Sequence, residues 1–203
     1  MESSDQVGAG TEGDVAATPI VHSLRDAAAR RIPRRSDSRR TLQCVIRPGG
    51  TADVRFLRDM LRHAYYWRSA APDAPMEDSV QRYVNGWGRP GDAAVIAIER
   101  TGPVGAAWYR LFPSSEPGYG FVNEQTPELS IAVVPGRRGR GYGDELLTAL
   151  LDRAGKSGFE RLSLSVEPDN PALHLYERHG FRQVGEKGGS LTMVAELGSQ
   201  PSD

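Results

Sequence analysis

Apolar positions recur along the chain in two rhythms, and the switching between them predicts the order of elements. In "TLQCVIR" (41–47) they alternate with polar residues, the pattern of a half-buried strand, and Pro48-Gly49-Gly50 closes it. From Thr51 as N-cap, Val54, Leu57, Leu61 and Ala64 return every three or four positions, which predicts a helix. A shorter helix is expected around "MEDSVQRYVNGW" (76–87). The runs "AAVIAIE" (93–99) and "GAAWYRLF" (105–112) read as strands joined by a turn at Thr101-Gly102-Pro103, and residues 113–127 read as loop. "ELSIAVV" (128–134) is a third strand. A helix over 141–154 follows, with Leu146, Leu147, Leu150 and Leu151 on one stripe and Gly155 in the C′ position. "RLSLSVE" (161–167) is a strand. "NPALHLYERHG" (170–180) is a helix with Asn170 as cap, Pro171 at its first position and Gly180 at its end. "FRQVGE" and "SLTMVAEL" close the domain as two strands. The order β-α-α-β-β-β-α-β-α-β-β implies an α/β (α+β) fold, a mixed sheet with helices packed on it.

Residues 1–41 break this pattern. They are small, polar and acidic at first, then carry seven arginines between 25 and 40, so they are expected to form a disordered tail with an Arg-rich segment. Such a cluster suits an arm for RNA, membrane or an acidic partner. Without interleaved aromatics, a solvated tail is the preferred reading, and nucleic acid is not favoured as a partner. The folded domain is expected over 42–198, with 199–203 disordered. The 203 residues carry a net charge of −1, so no global field points to a polyanion. A single cysteine, Cys44, excludes an intrachain disulfide framework and fits a reducing compartment, and the four histidines show no zinc-ligand spacing. No apolar run reaches bilayer length and no signal peptide opens the chain, so the expected location is cytoplasmic, with no membrane partner and no metal.

One segment carries candidate chemistry. "PGRRGRGYG" (135–143) places four glycines and three arginines between a strand and a helix. The first N–H groups of a helix lack intrahelical partners and carry the positive end of its dipole, so this arrangement binds phosphate. Gly139, Gly141 and Gly143 allow close approach to the main chain, and Arg138 and Arg140 can add charge-assisted contacts. No Lys-Ser/Thr follows the glycines, which argues against a nucleoside triphosphate loop, and the spacing is not the GxGxxG dinucleotide fingerprint. On its own the segment indicates a pyrophosphate without naming the molecule.

Together with its neighbours, the segment resembles motif A of the GCN5-related N-acetyltransferase (GNAT) family, here Arg138-Gly139-Arg140-Gly141-Tyr142-Gly143. "NPALHLYERHGF" resembles that family's motif B, with Asn170, Tyr176, Gly180 and Phe181 in place. The resemblance covers roughly residues 42–196. It implies a sheet of six to seven strands with helices on both faces, splayed between the fourth and fifth strands. It also implies an acetyl-CoA co-substrate. The pyrophosphate is expected on the backbone N–H groups of Arg138 to Gly143, and the pantetheine arm along Ile131, Val133 and Val134. Arg137 or Arg140 are candidates for the 3′-phosphate.

The same resemblance assigns Tyr176 as general acid for the leaving thiolate and Glu128 as base, directly or through water, with Glu124 as a weaker alternative. Read from the residues alone, Tyr176 is a half-buried helical tyrosine and Glu128 a strand-end carboxylate facing solvent. Asn170 caps its helix and is expected to touch the pantetheine or a water. The oxyanion donor is expected to be a backbone N–H near Val133, where the family strand often carries a bulge. Tyr65, Tyr66, Trp67, Trp87, Trp108 and Tyr119 are expected around the acceptor opening, each as wall or as core. His174 and His179 are read as ordinary surface or packing residues. The expected function is transfer of an acetyl group to a primary amine, on a small molecule or a peptide, by direct attack. The alternatives are a non-catalytic acyl-CoA-binding regulatory module and a protein working through its arginine arm. Dimers are frequent in the family, so a homodimer is among the expected states.

Overall fold

The computed structural model describes residues 44–68 and 75–198. The expected tails over 1–41 and 199–203, and the first residues of the expected opening strand, lie outside the described residues. Seven strands form one sheet in the order β1-β2-β3-β4-β5-β7-β6. They are β1 (Val45–Gly49), β2 (Ala93–Glu99), β3 (Gly102–Arg110), β4 (Glu128–Val133), β5 (Arg161–Val166), β6 (Arg182–Lys187) and β7 (Ser190–Glu196). Every neighbouring pair is antiparallel except β4 and β5. That one parallel pair follows from a helical crossover between its strands, since parallel neighbours cannot be joined by a tight turn.

Two hydrophobic cores lie on opposite faces of the sheet. Helix α1 (Val54–Tyr65) and the short α2 (Asp78–Gln81) cover one face, where Leu57, Met60, Val84, Ile96 and Trp108 are buried. Helices α3 (Tyr142–Lys156) and α4 (Leu173–Arg178) contribute to the core of the other face. There Leu146, Leu147 and Leu150 are fully buried, each contributing about 1.5–3 kcal/mol by removal from water. Side chains along β4 alternate between the two cores: Leu129 belongs to the α3 side and Ala132 to the α1 side.

Local details correct several expectations. β1 continues through Pro48 to Gly49, which an edge strand tolerates because its outer N–H positions have no partner to lose. Thr51 does not cap α1. A 3-10 turn over Thr51–Asp53 comes first, and the Asp53 carboxylate receives the Gly50 N–H at 2.9 Å and a bidentate contact from Arg47. The helix expected around 76–87 is a single turn followed by tight turns. Gly155 lies inside α3, and Gly158, at φ 83°, is the residue past its end. The β3–β4 register runs without a shift from Gly105↔Val133 to Arg110↔Glu128, so the bulge expected near Val133 is absent.

Candidate active site

The sheet parts between β4 and β5. They pair only at Glu128↔Ser163, where the Ser163 N–H reaches the Pro127 carbonyl at 3.0 Å, and further along they separate. The Val134 N–H bonds to the Val104 carbonyl at 2.9 Å, which sets the alternation along β4. Ala132 and Ser130 therefore turn their backbone groups to β3, whereas Ile131 and Val133 turn theirs toward the gap. An unpaired strand edge results, able to accept an extended ligand as an added strand.

The glycine segment lies at the C-terminal end of that edge. Gly139 and Gly141 take φ 73° and 92°, in the left-handed region, and a Cβ on either would meet nothing within 4 Å. Gly141 is the N-cap of α3 and supplies no side chain, so the first amides of this 15-residue helix lie open to a ligand. Asp144 in the first turn does not oppose an anion strongly, because Arg178 at 3.6 Å offsets its charge and its Oδ1 is in contact with His179 Nε2 at 3.0 Å. These features fit a pyrophosphate.

The arginines divide their duties in a way the sequence does not reveal. Arg137 pairs with Glu99 of β2 at 2.9 Å. Arg138 donates to the carbonyls of Val133 at 3.1 Å and His63 at 3.4 Å, and so ties the loop to β4 and to the end of α1. Arg140 alone of the three has an exposed guanidinium without a hydrogen-bond partner among the described residues. It remains the side chain suited to a phosphate, whereas those of Arg137 and Arg138 shape the loop. The Tyr142 side chain is also structural: it is buried beneath α3 and its phenol donates to Glu99.

Glu128 and Tyr176 lie on opposite faces of the sheet, in the α1-side and α3-side surroundings respectively. Tyr176 belongs to the α3-side core, with its ring edge-on to Phe181 at 5.9 Å. It sits in the first turns of α4, and its phenol has no hydrogen-bond partner among the described residues. Burial alone pushes its pKa up, which keeps the proton on the oxygen at neutral pH. Asn170 is not the cap of α4, which starts at Leu173 with Ala172 as N-cap; its Oδ1 accepts the Ala172 N–H at 2.9 Å and closes the turn that holds Pro171 before the helix.

Glu128 does not face solvent: it is 3% exposed. Tyr83 Oη donates to its Oε1 at 2.6 Å, and the Gly120 N–H donates to the same oxygen at 2.8 Å. The Tyr119 N–H in turn bonds to Tyr83 Oη at 2.7 Å. The second oxygen, Oε2, is buried with no hydrogen-bond partner among the described residues, packed against Gly118 so closely that a Cβ there would overlap it. Burial raises the Glu128 pKa to about 7, and the bonds from Tyr83 and Gly120 moderate the rise. A carboxyl balanced near neutrality, with one oxygen held by two donors and the other without one, is equipped to take and return a proton.

Tyr83 was missed by sequence reasoning, as was the framework behind it. Arg110, 1% exposed, pairs with Asp92 at 2.6 Å and donates to the carbonyls of Arg82 at 2.6 Å and Asn85 at 2.8 Å. Trp108 Nε1 bonds to the Tyr83 carbonyl at 3.2 Å. Two β3 side chains thus fix the turn after α2 that presents Tyr83. Trp108 is core, and Trp87 is half-buried with Arg110 5.5 Å from its ring centre. Tyr65 and Tyr119 are exposed and stacked at 6.4 Å, and Tyr119 is parallel to Tyr83 at 6.1 Å. Trp67 Nε1 bonds to Glu167 at 2.7 Å. Glu124 accepts the Ser114 N–H at 2.7 Å, which occupies it in the loop. Among the described residues, no cluster of three or more His, Cys, Asp or Glu could hold a metal, and no helix is long and apolar enough to cross a membrane.

A mixed sheet parted between its one parallel pair, with a glycine-opened helix at the parting, defines an α/β protein of the GNAT type. A family profile described as "Acetyltransferase (GNAT) family" matches residues 54–181, and the chain belongs to that family. Among solved structures, yncA from Salmonella typhimurium with its cofactor acetyl-CoA is 25% identical with a TM-score of 0.57, over 78% of this chain and 96% of that one. The ribosomal-protein-alanine N-acetyltransferase of Brucella melitensis is 27% identical with a TM-score of 0.56, over 75% and 99%. The L-methionine sulfoximine/L-methionine sulfone acetyltransferase of Pseudomonas paraeruginosa is 32% identical over 116 residues, 54% of this chain and 65% of that protein. The mycothiol acetyltransferase of Corynebacterium aurimucosum is 37% identical over 78 residues, 38% of this chain and 24% of that protein. The chain thus spans less than two thirds of the length of either relative.

Proposed function

We propose that this protein transfers the acetyl group of acetyl-CoA to a primary amine by direct attack across the β4–β5 gap. One observation carries the reading: β4 and β5 pair only at Glu128↔Ser163 and part beyond it, and the strand edge so exposed ends at the open glycine loop. When bound, acetyl-CoA supplies an activated acetyl thioester. The amides of Arg138 to Gly143 hold its pyrophosphate, Arg140 adds a cation, and the gap-facing backbone of Ile131 and Val133 aligns its arm. The Val133 N–H, turned to the gap, is the oxyanion donor. Glu128 Oε2 accepts the proton lost by the amine as the C–N bond forms. Tyr176 Oη gives a proton to the sulfur as the C–S bond breaks. Proximity supplies much of the acceleration, since both reactants are held on one strand edge.

The relatives are named for amino-acid, mycothiol and ribosomal-protein acetylation, which supports a small-molecule or protein amine as the acceptor class. A homodimer and a cytoplasmic setting accord with this reading. The deciding experiment combines calorimetric titration of acetyl-CoA with a panel of amines assayed for release of the free CoA thiol. Binding with amine-dependent thiol release supports transfer. Binding with no thiol release from any amine sinks it in favour of a regulatory module.

A further inference from the structure

Arg82, at the end of α2, is built into the Glu128 surroundings but has no acidic partner among the described residues. Its carbonyl is held by Arg110 at 2.6 Å, and the next carbonyl, of Tyr83, by Trp108 at 3.2 Å, so the turn is rigid. Its guanidinium lies 5.7 Å from the ring centre of Phe112 and 5.8 Å from that of Tyr119. Its Nε is buried without a hydrogen-bond partner, and no carboxylate among the described residues pairs with it. Arg47, Arg110 and Arg137, by contrast, each have an acidic partner. A buried N–H of a charged group left without an acceptor is costly, and a fold keeps such a group where a ligand completes it. Aromatic rings beside the guanidinium favour its planar charge and leave in-plane N–H groups for a carboxylate, which Arg binds as a fork.

The complementary orphan is Glu128 Oε2. The two side chains form no ion pair, yet the Arg82 charge is near enough to draw the Glu128 pKa down, as does that of the exposed Lys187. A carboxyl and a guanidinium kept close but unpaired, each with an unsatisfied polar atom, match a ligand that carries an amine and a carboxylate on neighbouring carbons. Tyr119 and Tyr65, stacked and exposed beside Arg82, offer an apolar surface for a side chain.

We propose that Arg82 is the carboxylate-binding residue of the acceptor site, so that the acceptors are free amino acids, with the amine at Glu128 and the carboxylate on Arg82. The assignment rests on the acetyl-transfer reading above and names the substrate class of that same site. The test compares the proteinogenic L-amino acids with their carboxamides in the thiol-release assay. At least one free amino acid is expected to exceed its carboxamide in kcat/KM by about tenfold or more, the scale of one charge-assisted hydrogen bond. Arg82→Gln is expected to raise KM for that amino acid about tenfold, erase its advantage over the amide and keep acetyl-CoA affinity; Arg82→Lys should recover part of the loss. Carboxamides used as well as the acids, or an Arg82→Gln enzyme with unchanged selectivity, would overturn the proposal. If no amine is acetylated, titration of the same amino acids into the CoA-loaded protein decides. Binding lost in Arg82→Gln keeps the carboxylate site and sinks acetyl transfer, whereas no binding overturns both.

Discussion

Replacing Glu128 by Gln removes a titrating group while keeping its shape. The amide oxygen still accepts from Tyr83 and Gly120, and the amide nitrogen takes the place of Oε2 against Gly118. Burial raises the carboxyl from 4.5 to about 7, so the folded protein holds this proton more tightly than the unfolded chain does. Stability from that preference is complete below the unfolded pKa and is lost as pH rises through about 7. The whole difference corresponds to about 3 kcal/mol, of which about 2.5 kcal/mol falls between pH 5 and pH 8. Burial beside Glu128 pushes the Tyr83 phenol up, out of that window. Urea unfolding of the wild type should therefore show stability falling from pH 5 to 8, a fall that Glu128→Gln lacks. In the thiol-release assay, wild-type kcat/KM should rise with pH to a plateau through an apparent pKa of about 7. Glu128→Gln should lose that limb and about 10²–10⁴ in rate. Parallel pH–stability curves for the two proteins would refute the raised pKa, and an unchanged rate would remove Glu128 as the base.

Gly141→Asp should abolish calorimetric CoA binding. It adds about 1–2 kcal/mol of strain at a φ of 92° and a negative charge at the helix start, but the open space around it lets the fold survive; retained affinity would contradict the cradle. Tyr176→Phe breaks no hydrogen bond among the described residues, so thermal stability should hold while kcat falls about 10²-fold at constant KM for acetyl-CoA; an unchanged kcat removes Tyr176 as the acid. Glu99→Gln releases Arg137 and weakens the Tyr142 tether, and should raise KM for acetyl-CoA about fivefold with kcat nearly preserved. A KM equal to wild type would show that the loop holds its shape without Glu99.

The sequence by itself determined the order of elements, the glycine-opened helix start and the helix carrying Tyr176. These are local properties: period-2 and period-3.6 patterns and glycine at positive φ report on backbone conformation within a few residues. Even so, the caps at Thr51 and Gly155 moved by one or more residues, because Asp53 and Gly158 satisfy those ends better. Only the tertiary structure decided what Glu128, Tyr142 and the three loop arginines do. Tyr83 and Glu128 lie 45 positions apart and meet at 2.6 Å, and Arg138 reaches a carbonyl 75 positions away. Strand register and packing bring such groups together, and no local periodicity encodes them. Burial beneath the 113–127 loop, which turns Glu128 from a surface acid into a carboxyl near neutrality, is likewise a property of the folded chain. The motif at 135–143 therefore pointed to an anion, whereas the atoms of Glu128 and Arg82 left without a hydrogen-bond partner among the described residues are visible only after folding.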